Sequence, residues 1–167
     1  GRPKSENGKP VLAFRTTSHG FWEDKGWFVP FFGGHYKSHA PNRPGTSVVV
    51  PSAQVDHPLV RGVEASFHVG HGGTYNAQPL SEFVTPILFG KTLELPAEPV
   101  AWTAAYRPGQ RLFYTSLGAE DNFDQSSFRN LILNAVLWGL EKDVPVGGVL
   151  GQSFAAGMPS ITVLPPA

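Results

Sequence analysis

A continuous apolar run, Val11-Leu12-Ala13-Phe14, breaks abruptly into Arg15-Thr16-Thr17-Ser18-His19-Gly20. Hydrophobicity that is continuous rather than alternating marks a strand covered on both faces, the habit of parallel sheets. In open α/β sheets ligands bind just beyond the carboxyl ends of strands, so the polar hexad is the first place to look for chemistry. Trp27, Phe28, Phe31 and Phe32 then recur at helical spacing, with Pro30 expected early in that helix or kinking it. Gly33-Gly34-His35-Tyr36 turns the chain into a polar loop over 37–45. Thr46 to Val50 reads as a β-branched strand stopped by Pro51.

Asp56 to Val63 predicts a turn into one helical turn, and 64–76 a strand fragment followed by a Gly-rich loop. Phe83 to Phe89 is a further strand, interrupted by Pro86, and 91–98 a loop. The clearest signal follows. Pro99 to Tyr106 and Arg111 to Leu117 flank Arg107-Pro108-Gly109-Gln110, where Pro fixes φ and Gly frees it, so the two runs form a hairpin. Asp124 is placed to cap a helix over about 125–142, with Phe128, Leu131, Ile132, Ala135, Val136 and Leu140 as its buried stripe. The segments divide into a linker or loop at 1–9, a domain at 10–144 and an aperiodic tail at 145–167.

Composition narrows the chemistry. Lys plus Arg and Asp plus Glu are 13 each, so the net charge is zero; with no basic cluster, the chain is a poor partner for nucleic acid or an anionic membrane. No stretch approaches the roughly 18–20 apolar residues of a membrane span. The compartment stays open. Cys is absent, which excludes a disulfide framework, a thiolate metal site and a cysteine nucleophile. Gly 19 and Pro 16 are high for a packed chain, and the first residue is Gly1 rather than Met, so the expectation is a piece cut from a longer polypeptide that carries further domains.

Six histidines are present: His19, His35, His39, His57, His68 and His71. No HExxH pattern occurs. A metal site from His19, His39 and a distant carboxylate is conceivable, but loop histidines bonded to backbone are the simpler reading, and no metal or other cofactor is assigned. Ser18-His19 at a strand end lacks the flanking glycines of a nucleophile elbow, and no phosphate-binding glycine motif is present. Aromatic residues remain: Trp102, Tyr106 and Tyr114 on the hairpin, and Trp22, Trp27 and Tyr36 near the first loop. Exposed aromatic faces beside hydroxyls and carboxylates suit a sugar site, although most aromatics are core.

Several segments, in order, carry a resemblance. Gly-Lys-Pro-Val-Leu-Ala-Phe-Arg-Thr-Thr-Ser-His (8–19), Phe32-Gly33-Gly34-His35-Tyr36 followed by His39, Asp56-His57-Pro58 followed by Gly62, Gly73-Thr74-Tyr75, the Val-Ala-Trp-Thr and Phe-Tyr-Thr-Ser-Leu-Gly strands, and the closing helix over 128–139 are together similar to the ThuA-like (trehalose utilisation) family of the class I glutamine amidotransferase-like superfamily. The resemblance spans about 8–142. It implies a flavodoxin-like three-layer α/β sandwich with a mostly parallel sheet, lacking its N-terminal βα units here, and a role in sugar metabolism, mostly in bacteria.

The resemblance marks His19 and His39 as catalytic candidates, with a pKa suited to proton transfer near neutrality. It marks Arg15, Ser18, His57, Tyr75, Trp102, Ser116 and Glu120 as substrate-binding candidates. Two positions depart from the family pattern: Arg15 and Ala119 stand where many members carry His. Arg15 could instead hold an anionic or polyhydroxy ligand by its planar fork. The implied function is action on, or binding of, a disaccharide or keto-sugar. The alternative is a non-catalytic carbohydrate-binding or interaction module of a larger multidomain protein.

Overall fold

The computed structural model describes residues 9–20, 23, 25–93, 95–105 and 109–150. Residues 1–8 of the expected 1–9 linker, the turn at Arg107-Pro108, the aromatics Trp22 and Tyr106, and residues 151–167 of the expected 145–167 tail lie outside the described residues. Within them the chain runs β1 (Val11–Phe14), α1 (Thr16–Gly20), α2 (Lys25–Phe32), β2 (Ser38–His39), β3 (Thr46–Val49), β4 (Ser66–Val69), β5 (Tyr75–Asn76), β6 (Val84–Lys91), β7 (Glu98–Ala104), β8 (Leu112–Thr115) and α3 (Ser126–Gly139). Short 3-10 turns at Ser52–Gln54, Pro58–Val60 and Glu120–Asp124 join them.

One six-stranded sheet, in the order β1-β8-β7-β6-β3-β4, carries the domain, and β2 pairs with β5 in a separate two-stranded ribbon. Two apolar clusters lie on its faces. Phe28 and Phe32 of α2 pack with Ala13, Trp102, Leu112 and Tyr114. Phe128, Leu131 and Ala135 of α3 pack with Val48, Leu88, Phe113 and the 3-10 residues Leu59 and Val60. The result is a three-layer α/β arrangement. Burying one such Leu or Phe is worth about 1.5–3 kcal/mol, so each helix is held chiefly by these few anchors.

The sheet is mostly antiparallel, not mostly parallel as expected. Only β1 and β8 run parallel, with Phe14 opposite Thr115. The β8–β7, β7–β6, β6–β3 and β3–β4 pairs are all antiparallel. The physical reason is that two-sided burial leaves strand direction open: β7 and β8 are buried almost throughout yet run antiparallel, while β3 and β4 alternate buried and exposed residues. Continuous hydrophobicity reports two-sided burial, not strand polarity. The expected hairpin forms, with Ala101 opposite Thr115 and Ala104 opposite Leu112. Pro86 sits where the β6–β7 register shifts, at an irregularity that accommodates its missing N–H.

The last helix buries Phe128, Leu131 and Ala135 of its expected stripe, with Ile132 partly buried, and departs from it at the two ends. It starts at Ser126 behind Gln125, not behind Asp124, which ends the preceding 3-10 turn, and it stops at Gly139. Val136 and Leu140 are exposed, while Asn130 and Asn134 are buried. Asn134 Nδ2 donates to the carbonyls of Leu59 (3.0 Å) and Arg61 (2.7 Å), and its Oδ1 accepts from Val149 N. Asn130 Nδ2 donates to Gly62 O (2.7 Å), and its Oδ1 accepts from Leu150 N (2.8 Å). Two amides thus tie the 59–62 turn and the 149–150 segment to one helix, satisfying backbone groups that would otherwise be buried unpaired.

Asn134→Ala removes three such bonds at a fully buried position. It is expected to lower unfolding free energy by about 3 kcal/mol, measured by urea denaturation, whereas Val136→Ala on the exposed side should change it by less than about 1 kcal/mol.

Candidate functional site

The chemistry gathers where β1 and β8 end. Arg15 follows β1 immediately and adopts φ 44, the left-handed region, which costs a non-glycine residue roughly 1–3 kcal/mol unless its surroundings fix it. Three bonds fix it. Its N–H donates to Thr115 O (2.7 Å), and its carbonyl accepts from Ser18 N (3.2 Å) and from the Tyr114 hydroxyl (3.2 Å). The sharp turn sends the chain into α1, which presents Ser18 inward and His19 outward.

Ser18 is buried, and its Oγ accepts from the N–H of Tyr36 (2.9 Å). This bond locks the turn after α2 against the turn after β1. Tyr36 is the hub of the cluster. The His19 ring lies 4.4 Å from it, centroid to centroid, and the Tyr75 ring meets it edge-on at 4.9 Å. Its hydroxyl is hydrogen-bonded to His39 Nδ1 at 2.7 Å. His39 stands directly opposite Tyr75 in the β2–β5 pair, their rings 6.1 Å apart. Both imidazoles are exposed while Tyr36 and Tyr75 are buried, so two titratable rings line the rim above a phenolic floor.

Electrostatics follow from burial. Tyr75 is raised above its ordinary value of 10 by desolvation, with the Arg15 charge pulling it back. Tyr114 is raised much further by the same cause, opposed by the Ser18 hydroxyl and by Arg15. Both phenols therefore stay protonated at neutral pH, and that of Tyr114 donates to the Arg15 carbonyl.

Gly72 completes one wall. Its φ is +96, and a Cβ there would sit 2.6 Å from Arg15 Nη1, so only glycine lets the 70–73 loop close on the guanidinium.

The structure thus brings Arg15, Ser18, His19, His39 and Tyr75 together, with Ser116 beside Arg15 at the end of β8. Trp102 lies beneath them. It is fully buried, its indole N–H donates to Phe32 O (2.8 Å), and its ring lies tilted against that of Tyr114, 4.3 Å between centroids. It offers no face to a ligand and instead supports Tyr114. His57 lies apart, in the turn packed on α3: its Nδ1 accepts from Leu59 N (3.2 Å), and its ring faces Trp138. Glu120 lines a different cleft of about 410 Å³ with Arg43, His71, Asp121 and Asp124. Among the described residues no three His, Asp or Glu side chains group as a metal ion would need, and no helix is long and apolar enough to cross a membrane. Tyr36 and Tyr114 are the functional additions. Tyr36 was visible only as an aromatic next to Gly33-Gly34-His35, and nothing in the sequence marks its bond to His39.

These features define an α/β protein with a polar aromatic site at its strand ends. The chain belongs to the ThuA family, described as trehalose utilisation, whose model matches residues 6–139. Among solved structures it is similar to a ThuA-like protein of Bacteroides uniformis, with a TM-score of 0.65 and 21% identity over 83% of this chain and 60% of that one. That likeness fits a flavodoxin-like kind of fold. The chain therefore spans about 60% of that neighbour's length. Among curated proteins, none matches the chain in sequence. Membership of the family carries a role related to sugar metabolism.

Burial lowers the His57 pKa from its ordinary 6.5. The native state thus favours the neutral ring that accepts from Leu59, and the unfolded chain takes up the proton first as pH falls. Stability contributed by His57 is full above about pH 6.5 and is lost as pH falls through the depressed native value. Urea denaturation between pH 7.5 and 5 should show wild type losing more stability than His57→Gln; parallel losses would count against this.

Proposed function

We propose that this protein binds a disaccharide, or its keto form, over the ends of β1 and β8, and that His19 and His39 exchange protons with it. The observation that carries this reading is the Tyr36 hydroxyl bonded to His39 Nδ1 at 2.7 Å, with the His19 ring against the same phenol. With Nδ1 engaged by a phenol, the other nitrogen of His39 is left to face a ligand, and the tautomer decides whether it gives or takes a proton. The exposed His19 ring lies against the same phenol, so a sugar spanning the rim would meet a general acid and a general base.

A keto-sugar suits such a pair. One imidazole removes the proton from the carbon beside the carbonyl, the electron pair moves toward the carbonyl oxygen, and the other imidazole or the Arg15 charge meets the oxygen that becomes negative. Arg15 and Tyr75 orient hydroxyls in this reading. Tyr36 and Tyr75, both buried, hold the two imidazoles at the rim where the sugar would sit.

Titration and turnover with trehalose and its keto form test it. His19→Ala and His39→Ala are each expected to slow turnover by about 100-fold or more while the protein stays folded. Saturable binding with no turnover in the full-length protein would leave instead the non-catalytic carbohydrate-binding module. Absence of binding would remove both.

A further inference from the structure

Two buried polar atoms at the sheet end have no hydrogen-bond partner: Nη1 of Arg15 and Oγ of Ser116. Native structures rarely leave such groups unpaired, and a charged donor is the most costly to leave so. The two are neighbours by construction. Phe14 is opposite Thr115 in the parallel β1–β8 pair, so Arg15 and Ser116 leave the sheet side by side. Arg15 turns out of β1 so that its guanidinium lies against Gly72, within electrostatic reach of Tyr75 and of Tyr114, two residues before Ser116.

The surroundings do not answer the guanidinium. Gly72 lies against Nη1, but its backbone is already committed: its carbonyl accepts from Thr46 Oγ1 (2.8 Å) and its N–H donates to Asn42 O (3.0 Å). The carboxylates of Glu120, Asp121 and Asp124 line their own cleft with Arg43 and His71. Among the described residues no carboxylate pairs with Arg15. The main chain is meanwhile held at φ 44 to put this side chain here. A strained backbone, a buried donor without an acceptor and an adjacent unpaired hydroxyl together describe a site completed by something that brings oxygen atoms and a negative charge.

We propose that Arg15 and Ser116 hold the carboxylate of an acidic sugar, a uronic or aldonic acid. This rests on the sugar-site reading above and narrows its substrate class. A planar guanidinium matches a carboxylate's two oxygens, and a serine hydroxyl adds a donor to one of them. Arg15 is the cation whose charge is felt at both Tyr75 and Tyr114. One cation balances a monoanionic carboxylate, whereas a phosphate dianion asks for a second cation or a nest of backbone N–H groups.

Calorimetric titration of the full chain with D-glucuronate, D-glucose and glucose 6-phosphate tests it, because glucuronate and glucose differ only at C6. Glucuronate is expected to bind about tenfold or more tighter than glucose, and tighter than glucose 6-phosphate. In Arg15→Gln the ratio of glucuronate to glucose affinity should collapse towards one. In Arg15→Lys, which keeps the charge but loses the fork, the ratio should be intermediate. Ser116→Ala, a milder change should Arg15→Gln not fold, should reduce the ratio about threefold or more.

Equal affinity of wild type for glucuronate and glucose would overturn this inference and leave the sugar site standing. A ratio unmoved in Arg15→Lys and Ser116→Ala, or a preference for glucose 6-phosphate, would overturn it equally. No binding of any of the three would overturn this inference, while the disaccharide reading is decided separately by the titration with trehalose.

Discussion

The hydrogen bond from the Trp102 indole to the carbonyl of Phe32 ties the middle of the sheet to the end of α2. Much of the site hangs from it. Trp102 lies against Tyr114, and the Tyr114 hydroxyl holds the carbonyl of Arg15 in its left-handed turn. The same end of α2 leads through Gly33 and Gly34 to Tyr36, whose N–H is received by Ser18. A Cβ on Gly34 would fall within 3.0 Å of the Trp102 ring, so the chain passes close over the indole because it carries no side chain there. One buried aromatic with a single donor therefore sets both the height of Tyr36 and the direction of Arg15.

The second constraint is the two-residue pairing of β2 with β5. Neither segment has enough periodicity to be a strand by itself, but their pairing places His39 opposite Tyr75 and against Tyr36. The main sheet supplies the guanidinium and the serine, and this small ribbon supplies the second imidazole. The candidate site is formed where a rigid sheet end meets a loop ribbon, the usual division of labour between scaffold and site.

What the sequence makes legible follows the strength of each local signal. The Pro-Gly turn announces β7 and β8, and the break from Phe14 to Arg15 announces the edge where chemistry begins. The ordered family motifs point to Arg15, Ser18, His19, His39 and Tyr75, which do converge. Strand direction was legible at β1, which does pair in parallel, but not beyond it, because β7 and β8 are just as continuously buried and run antiparallel. Hydrophobic spacing marked Phe128, Leu131 and Ala135 on the buried face of α3 but not the amides beside them, because Asn130 and Asn134 are buried to serve backbone groups of distant segments. Trp102 and His57 carry the side chains of a binding site, yet packing puts one under the site and the other in a turn against Trp138. A side chain's chemistry is in the sequence; the neighbours that occupy or free it are in the fold.

The central claim is that one ligand surface is formed by His19, Tyr36 and His39 at the ends of β1 and β8. Histidine side-chain resonances followed by NMR during titration with trehalose address it directly. The account predicts that the His19 and His39 rings shift together along one saturable curve while His57 stays still. Shifts confined to His57, or saturable binding that leaves both His19 and His39 unmoved, would contradict it.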